Sequence, residues 1–212
     1  MEKSRIDRYI KRAFPEHWFD YARELRDASL ILWRNHSNEL IVYLTHDEGN
    51  YHRKLYSRTY FLLMGLAIEN LFKGLLISEN PEYVKDGIIH RDISSGHNIL
   101  FLSEKVKSLV FSNEEEEICK VLSDVIPYWG KYPIPKNFKQ LKSEVFMSED
   151  WFSKLLNLYD KLEIQLYILN YDGIKGPNGI NFPKIRIQDL DIKLGRPVVR
   201  GSDIEKVLNY KP

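Results

Sequence analysis

The sequence predicts an all-α protein, a bundle of about five main helices with a partly extended C-terminal appendage. Three observations support this fold class. Apolar residues recur at helical spacing over several long stretches. Residues 61–77 are apolar almost throughout, as expected of a helix that is buried on every side. Capping residues and prolines mark where the helices begin and end, and 212 residues suffice for one sizeable core.

The chain starts with a basic arm that is followed by a helix. Arg5, Arg8 and Arg12 would share one helix face. This is typical of a solvated face, and an arm that contacts phosphate is the alternative. Pro15 suits the first turn of a helix that runs to about Asn35. The apolar stripe of this helix consists of Phe19, Ala22, Leu25, Ala28, Leu32 and Trp33.

The central helix is predicted from about Tyr51 to Glu79, where Asn80-Pro81 ends it. Before it, residues 40–44 are β-branched and short, so their period does not distinguish a strand from a helix. The apolar run within this helix contains the polar side chains Glu69, Asn70 and Lys73. A charge near the centre of a bilayer costs about 2.5–3.5 kcal/mol, so a buried core helix explains the run better than a membrane span.

Three further helices follow the polar loop from His90 to Gly96. The third begins near His97, the fourth runs from Ser112 or Asn113 to Ile126, and the fifth runs from Ser148 to about Asn170. Four glutamates at the start of the fourth helix suit the positive end of its dipole. The fifth helix repeats apolar residues at helical spacing, namely Phe152, Leu155, Tyr159, Leu162, Leu166 and Leu169.

The composition changes after Tyr171, which divides the chain into a helical bundle (1–170) and an appendage (171–212). Glycines and prolines between residues 173 and 183 predict a loop. Ile185, Ile187 and residues 190–194 alternate like short strands or an extended tail. Ser202 or Asp203 would cap a last short helix.

Charge and cysteine content limit the functions that the chain can have. With 31 Lys and Arg against 30 Asp and Glu, the protein has no overall field that would steer nucleic acid, so any such contact needs a local patch. Cys119 is the single cysteine, which fits a reducing cytoplasm. The charged N-terminus leads into no apolar run, so we expect no signal peptide and a soluble, cytoplasmic protein.

Familiar catalytic and metal-binding patterns are not found. The histidines show no metal-ligand spacing, so we expect neither a metal nor a cofactor. His90-Arg91-Asp92 resembles the catalytic loop of protein kinases, but Asn98 lies one position too late for that motif. There is also no glycine-rich nucleotide loop and no Asp-Phe-Gly. A kinase is therefore excluded.

Three segments between residues 60 and 135 carry a family resemblance. Ala67, Glu69 and Lys73 lie in an order that resembles the alanine-acid-lysine pattern of a HEPN helix. Gly96-His97-Asn98-Ile99-Leu100 is similar to the glycine-histidine-acid-leucine motif of that superfamily, with Asn98 in place of the acid. Trp129–Pro135 resembles a Trp-x-Gly-Arg-Tyr-Pro stretch of some HEPN-like proteins, with Lys131 for the arginine and directly before Tyr132.

The resemblance implies a metal-independent endoribonuclease that acts as a homodimer. Active HEPN proteins use an arginine, four to six residues and then a histidine, and Arg91 and His97 are separated by five. Histidine can move protons near neutral pH and arginine can bind phosphate. The family pair belongs near the start of a later helix, where Lys131 has no following histidine. A helix-capping role for His97 is therefore the alternative.

We therefore name Arg91 and His97 as catalytic candidates, supported by Glu69, Lys73, Asn98, Lys131 and Tyr132. Glu69 and Lys73 are spaced to form an internal ion pair, and alternatively Glu69 orients His97. The leading functional hypothesis is an RNA-directed enzyme or effector in a bacterial toxin or phage-defence setting. The others are a non-catalytic HEPN-like module that dimerises or binds a partner, such as a nucleotidyltransferase antitoxin, and a purely structural helical protein.

Overall fold

The fold is given by a computed structural model, which describes residues 2–35, 40–45, 49–94, 96–132, 134–135, 137–142, 144–145 and 147–197. These residues are mostly helical, which confirms the all-α class. The α-helices are α1 (Glu2–Arg12), α2 (Pro15–Arg34), α3 (Ser57–Glu79), α4 (Arg91–Ser94), α5 (Ile99–Lys105), α6 (Asn113–Asp124), α7 (Glu149–Asn170) and α8 (Gln188–Lys193). Two antiparallel hairpins pair β1 (Leu40–Thr45) with β2 (Gly49–Lys54) and β3 (Ile174–Lys175) with β4 (Asn181–Phe182).

Helix α3 lies at the centre of the core, with α2 and α7 packed along it. Its buried side chains point in all directions, which agrees with its nearly continuous apolar sequence. Gly74 allows α7 to approach closely, because a Cβ atom at this position would lie 2.8 Å from a methyl group of Leu166. The predicted burial of residues 61–77 is confirmed for most of the run.

Helix α3 is also the one described helix that is long and apolar enough to cross a membrane. In its most apolar window, 72% of the residues are buried inside the protein. Such burial is typical of the core helix of a soluble protein, because a membrane span presents its apolar side chains to lipid.

The central helix begins later than predicted. It starts at Ser57, and residues 49–54, which were expected to be helical from Tyr51, pair instead with residues 40–45. Tyr56 separates the hairpin from the helix with a positive φ of 66°, which a continuing helix does not allow. The ambiguous segment 40–44 is therefore a strand, because β2 is available as its partner.

The later helices begin and end close to the predicted residues. Ser112 caps α6 in a reciprocal capping box with Glu115, and Ser148 caps α7. Helix α6 ends at Asp124 and continues as a π-helical turn, Val125–Trp129. The loop expected from His90 to Gly96 contains the single turn α4. Three short 3₁₀ turns are at Pro81–Gly87, Phe138–Gln140 and Pro177–Gly179.

The C-terminal part packs on the bundle through Phe182, Ile185 and Leu190, which are buried. The extended conformation predicted for residues 190–194 is wrong, because α8 covers Gln188–Lys193. This short helix is fixed by a buried contact in which the Tyr167 hydroxyl donates to the carboxylate of Asp191. The helix predicted to start at Ser202 or Asp203 lies outside the described residues.

Candidate active site

A buried carboxylate on α3 connects two of the predicted site residues. Glu69 is 2% exposed, and its two oxygens have different partners. The Lys73 Nζ atom lies 2.5 Å from Glu69 Oε1, and the His97 Nδ1 atom lies 2.8 Å from Glu69 Oε2. The predicted ion pair and the predicted contact of Glu69 with the His97 loop are therefore both present.

The contact with Glu69 orients the imidazole ring of His97. An ionised carboxylate can only accept hydrogen bonds, so opposite an ionised Glu69 the Nδ1–H group of His97 is the donor. In the neutral ring, Nε2 then carries the lone pair. The side chain of His97 is 44% exposed, and Nε2 has no hydrogen-bond partner among the described residues. The ring is thus held at one nitrogen and open at the other.

The backbone around His97 is fixed by its neighbours. Gly96 has a φ of 109°, which favours glycine, and it turns the chain just before His97. Asn98 Oδ1 accepts a hydrogen bond from the Phe101 amide at 3.0 Å and so caps α5. The capping role considered for His97 therefore belongs to Asn98.

Lys73 is packed between Glu69 and helix α2. Its side chain is 16% exposed, and its ammonium group lies 5.8 Å from the centre of the Trp18 ring. The Trp18 indole nitrogen donates to the carbonyl of Ala13, which fixes the ring. Lys73 thus contacts Glu69 through a different oxygen from the one that His97 contacts.

Arg91 is not joined to this group. It is exposed at the first position of α4, and no hydrogen bond or ion pair connects it to Glu69 or His97 among the described residues. The preceding His90 stacks on Tyr83 with ring centres 5.0 Å apart. Its Nδ1 atom also accepts from the Asp92 amide at 3.2 Å. Arg91 therefore projects from an anchored turn.

Lys131 and Tyr132, the remaining supporting candidates, lie at the other end of α3. They line an open cavity of about 330 Å³ together with residues that include Tyr56, Arg58 and Trp129. Arg58 and Glu69 are eleven residues apart, which is about 16 Å along a helix. The structure therefore separates these two candidates from His97 and places them at a second site.

Two other reactive possibilities are unfavourable. Burial raises the pKa of Cys119 to about 12, so this thiol remains protonated and is a poor nucleophile. The described residues contain no group of three or more His, Cys, Asp or Glu side chains that could hold a metal ion. The imidazole of His97, which Glu69 holds at Nδ1, is the candidate for proton transfer.

A second buried carboxylate was not among the predicted site residues. Burial raises the pKa of Glu163, although the positive charges of Arg26 and Arg23 lower it in part. The Tyr159 hydroxyl donates to the same carboxylate at 3.1 Å. Tyr159 and Glu163 are buried, and Arg26 and Arg23 are 17% and 28% exposed, so we interpret this cluster as packing between α2 and α7. The sequence signal was the position of Glu163 within the apolar repeat of the fifth helix.

Comparisons with known proteins do not assign the chain to a family. No protein-family profile matches it, and no curated protein or solved structure gives a significant match.

Proposed function

We propose that the protein is a HEPN-like, metal-independent endoribonuclease, an RNA-directed effector in a bacterial toxin or phage-defence setting. The observation that carries this proposal is the geometry of His97. Its Nδ1 atom is held 2.8 Å from a buried carboxylate, while the side chain as a whole is 44% exposed. A carboxylate that orients an imidazole in this way also stabilises the imidazolium formed when the ring takes up a proton.

The reaction needs a base and an acid but no metal. Nε2 of His97 takes the proton of a ribose 2′-hydroxyl, and the resulting oxygen attacks the adjacent phosphorus. The bond from phosphorus to the 5′-oxygen of the next nucleotide breaks, and that oxygen receives a proton from an imidazolium. The products are a 2′,3′-cyclic phosphate and a 5′-hydroxyl. Arg91, which is exposed on α4, would contact the phosphate in the transition state.

Glu69 and Lys73 act through His97 as positioning residues. Glu69 selects the tautomer of the ring, and Lys73 keeps the carboxylate charge balanced inside the protein. Glu69 is 2% exposed and the Lys73 side chain is 16% exposed, so neither is accessible enough to hold a substrate. Their effect on the reaction is therefore expected in kcat rather than in KM.

The proposal is tested by RNA cleavage with purified wild-type protein and His97→Ala. We expect cleavage that persists in EDTA and leaves a 2′,3′-cyclic phosphate, and a loss of about 10²–10⁴-fold in kcat for the variant. Added imidazole should restore part of the activity. His17→Ala is the matched control, because His17 is also exposed and lies 3.9 Å from a glutamate. Equal cleavage by wild type and His97→Ala would refute the proposal.

The alternative is a non-catalytic HEPN-like module that dimerises or binds a partner, for example a nucleotidyltransferase antitoxin. It is supported by three apolar side chains between residues 134 and 141, since Ile134, Phe138 and Leu141 are 71%, 82% and 67% exposed. Growth arrest on expression, equal for wild type and His97→Ala and relieved by a co-expressed partner, would favour this alternative.

A further inference from the structure

The cavity at the start of α3 combines aromatic rings with positive charge. Its volume of about 330 Å³ is within the range of small-molecule sites. Tyr56 and Tyr132 contribute exposed rings, with 40% and 47% of their surface accessible. Exposed aromatic rings of this kind can stack on nucleobases, which all have a π-face.

The charge in the cavity comes from Lys131. This side chain is exposed, has no acidic partner within the described residues, and places its ammonium group 5.3 Å from the centre of the Tyr132 ring. Arg58 also lines the cavity, but two hydrogen bonds hold its guanidinium against Glu144, so the pair is neutral overall. The cavity therefore has a net positive charge beside an aromatic ring.

The cavity residue Arg58 and Glu69, the partner of His97, lie along one face of α3. Eleven residues make about three helical turns, so Arg58 and Glu69 share one face of α3. The end of α6 connects the two places, because Ser123 lies 3.4 Å from Asn98 and the turn after α6 leads directly to Lys131. The rise of about 16 Å from Arg58 to Glu69 along α3 corresponds to about five stacked nucleotides.

We infer that this cavity binds a base and the adjoining phosphate of single-stranded RNA. Tyr132 stacks on the base and Lys131 contacts the phosphate, while the strand continues along α6 to His97. This role rests on the proposed ribonuclease function, since it is the substrate-binding part of the same enzyme. A single strand is favoured over a duplex because a stacked ring needs an unpaired base.

Binding is measured by fluorescence anisotropy with a labelled single-stranded RNA of mixed sequence. The parent is His97→Ala, which holds RNA uncut, and it is compared with double variants that add Lys131→Ala or Tyr132→Ala. We expect each added substitution to raise the Kd for RNA by about tenfold. Lys131→Ala should also reduce the slope of log Kd against log salt concentration by about one, because one phosphate contact is lost. Lys105→Ala is the matched control, because Lys105 is also exposed and lies 5.0 Å from a ring centre, that of Phe101.

The same RNA as a duplex and a DNA strand of the same sequence complete the comparison. Equal affinity for the two single strands supports stacking and phosphate contact, whereas preference for the duplex overturns the inference. Unchanged RNA affinity of both cavity variants also overturns the inference. So does a result in which the cavity variants no longer self-associate but still bind RNA with the parent's affinity. If RNA binds at the cavity but wild type does not cut it, the inference stands and the ribonuclease proposal fails. If wild type cuts RNA but the cavity substitutions leave RNA binding unchanged, the ribonuclease proposal stands and the inference fails.

Discussion

Glu69 has one partner for each oxygen, and this arrangement makes the effects of its neighbours predictable. Lys73 forms an ion pair with one oxygen, whereas His97, which is more exposed, forms a hydrogen bond with the other. A buried charge that loses its partner destabilises the fold by about 3–5 kcal/mol. Removal of Lys73 should therefore affect stability, and removal of His97 should affect chemistry.

Lys73→Met should destabilise the fold by about 3–5 kcal/mol, because it leaves the buried charge of Glu69 without its ion-pair partner. In a chain of this size each kcal/mol lowers the melting temperature by about 2–4 °C, so we expect a decrease of at least about 6 °C. Adding Glu69→Gln should recover part of the loss, since the buried charge is then gone. Lys85→Met is the matched control, because Lys85 forms an exposed ion pair with Glu82. A change within about 1 °C for Lys73→Met, measured by thermal denaturation, would show that the pair is solvated.

For individual residues, the sequence predicted those charged side chains that lie within an otherwise apolar helix. Two charges in an apolar run need partners, so Glu69 and Lys73 were expected to be largely buried and paired. They form an ion pair in which Glu69 is 2% exposed and the Lys73 side chain is 16% exposed. The cavity was not predicted, because Tyr56 and Arg58 join Lys131 only through packing of the hairpin end against the turn after α6. Ordinary surface residues give no periodic signal of such a contact.

Helices α6 and α7 are joined by an ion pair that also belongs to a helix cap. Lys161 on α7 donates to both oxygens of Glu115 at 2.8 Å, and it donates to the Val110 carbonyl. Burial alone would raise the pKa of Glu115, but hydrogen bonds from Lys161 and from the Ser112 backbone outweigh it and lower that pKa. The native state therefore holds this proton less tightly than the unfolded chain.

The stability that Glu115 contributes should consequently be present above its ordinary pKa of 4.5 and disappear as the pH falls through the lower folded value. Glu115→Gln keeps the capping box and should cost about 1 kcal/mol at pH 7, measured by urea unfolding. The gap to wild type should narrow below about pH 4. Glu117→Gln, which alters an exposed pair with Lys120, is the control. A gap that is unchanged in acid would contradict the assignment.

Long periodic elements were predictable, and short ones that depend on tertiary partners were not. The fifth helix was placed correctly because an apolar repeat and a capping serine agree. Strand β2 reads Gly-Asn-Tyr-His-Arg-Lys, which has no strand pattern of its own and is specified by its pairing with β1. Helix α8 likewise depends on the buried contact of Asp191 with Tyr167.

For the whole molecule, the arrangement of the site bears on its oligomeric state. His97 supplies one open imidazole nitrogen, and RNA cleavage needs both a base and an acid. Arg91 makes no contact with His97 within the described residues, so for the proposed reaction one chain offers a single oriented histidine and an arginine that is not joined to it. Two copies that face each other would supply two histidines and two arginines around one phosphate, which is the arrangement implied by the resemblance to HEPN proteins.

We therefore expect a homodimer with the two His97 side chains near a common axis. Light scattering at micromolar concentration should give twice the mass of the 25.1 kDa chain. In a mixture of His97→Ala and Arg91→Ala proteins, each inactive alone, heterodimers would recover activity if one chain gives the histidine and its partner the arginine. Activity that stays at zero in the mixture, with subunit exchange verified by a mass tag, would place both groups in one chain. A monomer mass for active wild type would refute the dimer, because a single His97 would then perform both proton transfers in sequence.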